Sequence, residues 1–366
     1  MSWVLAFAGF AALIILHELG HFAAAKSVGM RVERFALFFP PLLFKVRRGE
    51  TEYGVGAIPL GGYVRITGMN PNEEIPEEVA HRAYYRQAVW KRIVVIAAGP
   101  AMNVVVAFLI LAGLNLIVGK PADRPDGKPL TATVVDSVEK GSPAQGKLER
   151  GDRIVAIDGK RGDSERLRTQ IATHRCAGKV QRDGCSAAEP ARLVVTRDGA
   201  SRTVTITPRY DAQARRARVG FAFEFVYESV GPLEAASLSA TGMWRVTKAT
   251  VDTFVRIFDP EKRKELSGVV GSYEVTRQSI ELDAAQAFTI LAFISLSLAI
   301  INLFPFLPLD GGHIFWALAE KVRGRAIPFS VMERAGVVGF LLVLAFAFIG
   351  LSNDIDRLSG EGFQVR

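Results

Sequence analysis

The stretch that decides the architecture is Trp3 to Ala25, WVLAFAGFAALIILHELGHFAAA, an apolar run long enough to cross a bilayer that carries His17, Glu18 and His21 in its second half. Nothing basic precedes it: the first Lys or Arg is Lys26. The small residues Ala23, Ala24 and Ala25 resemble a signal-peptide cleavage site, but the missing basic n-region and the polar trio argue for a retained span. Residues four apart on a helix share a face, so His17 and His21 present two imidazoles together, with Glu18 beside them. Two such rings and a carboxylate in hydrocarbon are costly unless they hold a metal, pair, or face a water-filled cavity. The His-Glu-x-x-His spacing is the helical zinc-site pattern, in which the Glu accepts a proton from an activated water.

Working outward, three further uncharged runs follow, at residues 93–118, 284–309 and 335–351. With residues 3–25 they predict about four transmembrane helices, the last at the lower limit of length and flanked by Glu333, Arg334, Asn353 and Asp354. Of the 366 residues, 49% are hydrophobic and 22% charged, which excludes a disordered or collagen-like chain. The net charge of +8 is carried beside the apolar segments, as expected for a lipid surface; no nucleic-acid partner is expected.

Eleven Lys and Arg lie between Lys26 and Arg92, and Lys321, Arg323, Arg325 and Arg334 lie between the third and fourth runs. By the positive-inside rule both connections are cytoplasmic, which puts the N-terminus, the segment 119–283 and the short tail outside the cytoplasm.

The predicted organisation is a first membrane half at 1–118 with a β-rich loop at 26–92, a soluble α+β domain at 119–210, an amphipathic helix and linker at 211–283, and a second membrane half at 284–366. Strands are expected at Thr131–Val135, Arg153–Ile157, Arg192–Thr196 and Thr203–Thr207, with a helix at Ser164–His174. Within that domain, Gly141-Ser142-Pro143-Ala144, Leu148 and Gly151 to Gly159 resemble the PDZ family, which implies a groove for a peptide C-terminus; a spacer of PDZ fold with an occluded groove is the alternative. Cys176 and Cys185 would form a disulfide in an oxidising compartment and remain two small apolar side chains otherwise. In 233–258, Trp244, Val251, Phe254, Val255 and Phe258 alternate with charged residues; this helix either lies on the outer membrane surface or packs beneath the PDZ-like domain.

A catalytic zinc takes about three protein ligands. The acidic residue beside the third run is Asp310, in Asn302-Leu303-Phe304-Pro305-Phe306-Leu307-Pro308-Leu309-Asp310-Gly311-Gly312, where Pro305 and Pro308 forbid a regular helix; His313 ranks behind it.

With these motifs in hand, the chain resembles the site-2 protease family of intramembrane metalloproteases, in the bacterial branch that cleaves anti-sigma factors, over nearly its whole length. The likeness rests on His-Glu-x-x-His in the first span, Gly99-Pro100 and Asn103 in the second, the PDZ-like insert, and Asn-x-x-Pro-x-x-x-Leu-Asp-Gly from Asn302 to Gly311. This chain shows one PDZ-like domain where some members have two. The resemblance implies Zn2+ on His17, His21 and Asp310, Glu18 as general base, and Asn302 in the same cavity, positioning substrate or stabilising the carbonyl oxygen; a helix-packing role for Asn302 stays open. It implies a bacterial inner-membrane enzyme acting on a single-span substrate already trimmed by another protease. Gly61, Gly62, Tyr63, Val64 and Arg65 resemble the family's membrane-associated β-hairpin, whose edge either pairs with unwound substrate or only caps the cavity. A membrane-anchored PDZ scaffold and a metal transporter are the other classes considered, and both rank below the protease.

Overall fold

The computed structural model describes the chain except residues 1, 71–72, 123–129, 179, 213, 257–258, 260–267 and 360–366. It forms two compact units, residues 1–117 with 230–366, and residues 118–229.

Four helices of the first unit are long and apolar enough to cross a membrane: α1 (Ser2–Ser27), α2 (Val89–Val118), α6 (Ala284–Asn302) and α8 (Phe329–Ser359). Their outer faces remain apolar and exposed, among them Leu109 and Ile117 on α2 and Val338, Leu341 and Phe348 on α8. Such faces suit lipid rather than water. The third span ends at Asn302, earlier than the 309 expected from hydropathy, because the prolines at 305 and 308 break the ladder. Helix α7 (Asp310–Arg323) starts afresh at Asp310. Helix α8 overruns the expected 335–351 at both ends, and Asp354 explains its far end. That carboxylate is fully buried and accepts hydrogen bonds from the Gly268 and Gly271 N–H groups at 3.1 and 2.7 Å, satisfying donors at the start of α5 (Val269–Leu282).

Between α1 and α2 lies a hairpin of β1 (Val32–Arg48) and β2 (Thr51–Ile66) that folds back on itself. Residues 34–37 of β1 pair with 62–65 on one side and with 52–55 on the other. The Gly61 to Arg65 segment is therefore an outer strand of the folded sheet. Its root packs into a cluster of Ala25, Met30, Val32, Ile66, Tyr84, Val95 and Ile96. The turn is tied to the end of α1 through Glu50, which accepts from Arg82 and from Lys26 at 2.6 Å; those cations, Arg82 foremost, pull its carboxyl down to about 2.

Helix α4 (Pro232–Val255) spans most of the expected amphipathic segment, and Phe258 lies outside the described residues. Ala235, Ser239 and Met243 form its buried stripe, with Ser239 accepting from Asn115 of α2 at 2.9 Å, while Trp244, Val251 and Val255 are exposed. The segment expected to be linker contains α5, which packs against α1, α6 and α8. Arg277 of α5 lies over the Trp3 ring at 4.7 Å, and Tyr273 donates to the Trp3 carbonyl.

The second unit holds an antiparallel sheet in the order β7-β3-β4-β5-β6, from β3 (Thr131–Val138), β4 (Arg153–Ile157), β5 (Ala191–Arg197), β6 (Ala200–Ile206) and β7 (Phe221–Phe225). Helix α3 (Ser164–Ala172) covers it, capped by Asp163, whose side chain accepts from the Arg166 N–H. Leu167 and Ile171 of the helix meet Val135, Ile154, Leu193, Val195, Ile206 and Phe223 in one core. The unit reaches residue 229 rather than 210 because β7, returning from the far end of the segment, completes the sheet beside β3.

Candidate metal centre

Helix α1 buries His17 and His21 on one stripe with Ala6, Leu13, Gly20 and Ala25. The two rings meet edge to face, 4.9 Å between centroids, with their Nε2 atoms 3.2 Å apart. Asp310, the first residue of α7, places Oδ2 3.3 Å from each Nε2. The His21 ring is turned by its Nδ1–H, which donates to the Val95 carbonyl of α2 at 2.9 Å and leaves Nε2 with a lone pair. Helix α2 comes this close because Gly99 has no side chain: a Cβ there would lie 2.2 Å from His21 Nε2.

Three electron-rich atoms at this spacing repel one another unless a cation sits among them, and Asp310 Oδ2 is buried without any hydrogen-bond partner. Bonds of about 2.0–2.2 Å at a tetrahedral angle hold zinc ligand atoms roughly 3.3–3.5 Å apart. The observed edges of 3.2, 3.3 and 3.3 Å match that triangle, so the trio could hold zinc and leave a fourth position open. Among the described residues, His17, His21 and Asp310 are the group placed to ligate a metal; His313, a turn further along α7, is not part of it.

Glu18 is half-buried on α1, and β2 passes so close that a Cβ on Gly62 would fall 2.7 Å from its Cγ. Glu18 and the Gly61–Arg65 strand are therefore neighbours at Gly62. Two side chains of that strand are already engaged: the Tyr63 hydroxyl accepts from Arg34 at 3.0 Å, and Arg65 pairs with Glu33 and Glu73. Asn302 is the last residue of α6, at the mouth of the turn leading to Asp310. In the other unit, Cys176 and Cys185 are brought together, 5.8 Å between Cα atoms.

Two contributors escaped the sequence reading. Arg92 at the start of α2 makes a two-pronged ion pair with Glu320 of α7, at 2.6 and 3.0 Å, and so pins the helix that carries Asp310. Asn103 of α2 lies 3.1 Å from His17 Nδ1. The Gly99-Pro100 and Asn103 pattern was visible, but nothing local tied it to the imidazoles.

The profile described as "Peptidase family M50" matches residues 5–346. The chain belongs to peptidase family M50. Within this family, the zinc metalloprotease Rip1 of Mycobacterium tuberculosis is 32% identical, the match covering 92% of this chain and 90% of the relative. The Regulator of sigma-W protease RasP of Bacillus subtilis is 27% identical over 95% of this chain and 97% of its own length. A putative zinc metalloprotease of Synechocystis is 32% identical over 95% and 93%. A solved PDZ domain of an SdrC-like protein from Listeria innocua covers 25% of this chain and 92% of its own, at 18% identity and a TM-score of 0.21, a likeness too slight to carry an argument. Family M50 is the site-2 protease family, so this membrane protein is a zinc metalloendopeptidase and zinc is its cofactor.

Proposed function

We propose that the enzyme hydrolyses a peptide bond in or near the transmembrane segment of a single-span regulatory protein of the anti-sigma-factor class, already trimmed by another protease. The observation that carries the intramembrane reading is the 3.2–3.3 Å triangle of His17, His21 and Asp310, with both imidazoles and Glu18 on one of four apolar helices and Asp310 reaching them from the start of α7. The name of the sigma-W regulator protease among the relatives supports the substrate class.

In this reading His17, His21 and Asp310 hold the zinc. When bound, zinc polarises the scissile carbonyl and makes water acidic near neutral pH. Glu18 accepts the proton of the attacking water and delivers it to the leaving amine nitrogen as the C–N bond breaks. Asn302 supplies an amide that positions the substrate or donates to the carbonyl oxygen as charge gathers on it. The outer strand at Gly61, Gly62, Tyr63, Val64 and Arg65 pairs with the unwound substrate backbone. Its free backbone edge and the Gly62 approach to Glu18 support this, and two of its side chains are already paired within the sheet.

The protein sits in the bacterial inner membrane with its N-terminus and the unit 118–229 outside the cytoplasm. The basic residues of 26–92 and 321–334 support that orientation, and a Cys176–Cys185 disulfide fits an oxidising face. There the PDZ-like unit receives a peptide C-terminus or excludes untrimmed chains.

The test is cleavage of a single-span anti-sigma-type substrate, with and without its outer domain, by enzyme in proteoliposomes. Wild type should cut the trimmed form and Glu18→Gln should lose at least about 10²-fold in rate; cutting by Glu18→Gln at the wild-type rate sinks the mechanism. A membrane-impermeant thiol reagent should reach a cysteine placed at Asp198 in intact spheroplasts; protection until lysis reverses the orientation.

A further inference from the structure

His21 and His17 face the same metal position, yet the ring nitrogens on their far sides are served differently. His21 Nδ1 has a main-chain acceptor, the Val95 carbonyl. His17 Nδ1 has the side chain of Asn103, eight residues further along α2 and on the same face. Asn103 is fully buried, and its own backbone carbonyl accepts from Ser295 of α6 at 2.9 Å, so its position is set by two spans.

With the amide nitrogen Nδ2 toward His17 Nδ1 at 3.1 Å, two polar groups are mismatched. A donating Nδ2 makes Nδ1 the acceptor, which puts the proton of the neutral ring on Nε2, the atom directed at His21 Nε2 and Asp310 Oδ2. Asn103 Oδ1 is meanwhile buried with no hydrogen-bond partner. A half-turn of the amide exchanges its oxygen and nitrogen without changing its shape. After the exchange Oδ1 accepts the Nδ1–H of His17, the orphaned oxygen has its donor, and Nε2 keeps a free lone pair. The protonation pattern of His17 then matches that of His21.

We infer that Asn103 is the positioning residue of His17: its amide oxygen holds the Nδ1–H and thereby fixes the tautomer and ring angle that aim Nε2 at the metal. One face of α2, with Val95, Gly99 and Asn103, then cradles both imidazoles. The inference rests on the reading of His17 as a zinc ligand. Acceptors of this kind are worth roughly 10–100-fold in metal affinity.

The experiment uses the full-length protein in detergent, with zinc affinity measured by chelator competition and folding followed by thermal unfolding. Asn103→Leu keeps the branched heavy-atom skeleton and removes the acceptor; its zinc affinity should fall by about 10–100-fold. Asn103→Asp keeps an acceptor oxygen and should recover to within roughly threefold of wild type, a rescue that a packing role would not give. Folded Asn103→Leu with wild-type affinity overturns the inference, as does equal loss in Asn103→Leu and Asn103→Asp. Wild type needs no variant to fold: loaded with Co2+, it should show two paramagnetically shifted, exchangeable imidazole N–H signals that persist in water, one per ring. A single persistent signal overturns the inference. Wild type that takes up no stoichiometric metal overturns the ligand reading itself, a different outcome from an unaltered Asn103→Leu.

Discussion

Alanine at Gly99 is the smallest change that should empty the metal centre. The added Cβ would lie 2.2 Å from His21 Nε2, 2.5 Å from Cε1 and 2.8 Å from Cδ2. Ordinary contact between a methyl carbon and a ring atom is about 3.5 Å, so either the ring or α2 must retreat by roughly 1 Å. Neither yields freely. The ring is held by the Val95 carbonyl at 2.9 Å, and Val95, Ile96 and Asn103 of α2 are all buried. Metal-ligand distances tolerate only about 0.2 Å, so a displaced Nε2 leaves the ligand triangle. We expect Gly99→Ala to cost about 1–3 kcal/mol in stability from overpacking and to lower the cleavage rate by about 10²-fold or more, with reduced zinc content. Gly113→Ala is the matched control on the same helix, where nothing lies within 4 Å of the new methyl and zinc content should be unchanged. The assay is zinc per chain by atomic emission beside turnover of the single-span substrate. Gly99→Ala with full zinc and wild-type turnover would show that the close approach of α2 to His21 does not position that ring.

Two further outcomes are expected. Val64→Pro removes a backbone donor from the outer strand, so if that strand clamps substrate the enzyme should retain zinc and lose cleavage by about tenfold or more, and unimpaired cutting by the folded variant leaves the strand as a cap only. In the other unit, the Asp152 carboxylate has no exposed side-chain surface and accepts from Arg197 Nε and Nη2 at 2.6 and 2.7 Å; Arg197 holds its carboxyl below the usual range. A depressed folded-state value means the stabilisation is present above the unfolded value of about 4 and is lost as pH falls through the folded value. Asp152→Asn should therefore lower the stability of this unit by about 2 kcal/mol at pH 7, with the gap closing below about pH 4. Amide hydrogen exchange across β4 and β5 at both pH values reads this, and a gap unchanged at low pH would refute it.

How far the sequence reached follows from which forces act locally. Uncharged runs announce themselves residue by residue, so α1, α2, α6 and α8 were legible, and the one-turn separation of His17 and His21 put both imidazoles on one helical face, where the structure has them. Asp310 was legible because Pro305 and Pro308 mark a break where a carboxylate stands beside hydrocarbon. Helix α5 was not, since Val269 to Leu282 mixes Ser, Thr, Glu and Arg with apolar residues and is ordered by α1, α6 and α8 around it. The reach of α8 to Ser359 depends on Asp354 finding N–H partners at Gly268 and Gly271, far away in the chain. Arg92 read as an ordinary basic flank until Glu320 appeared opposite it, and Asn103 gave no local sign that His17 was its partner. Contacts between distant positions leave no periodicity to read.

In the proposed mechanism three side chains from α1 and α7 grip one catalytic zinc. Metal analysis of purified, folded wild type beside Asp310→Ala tests it most directly: wild type should carry about one zinc per chain, and Asp310→Ala, which keeps only the two imidazoles, should lose most of it. Folded wild type without zinc, or Asp310→Ala that binds it as tightly as wild type, would contradict the account.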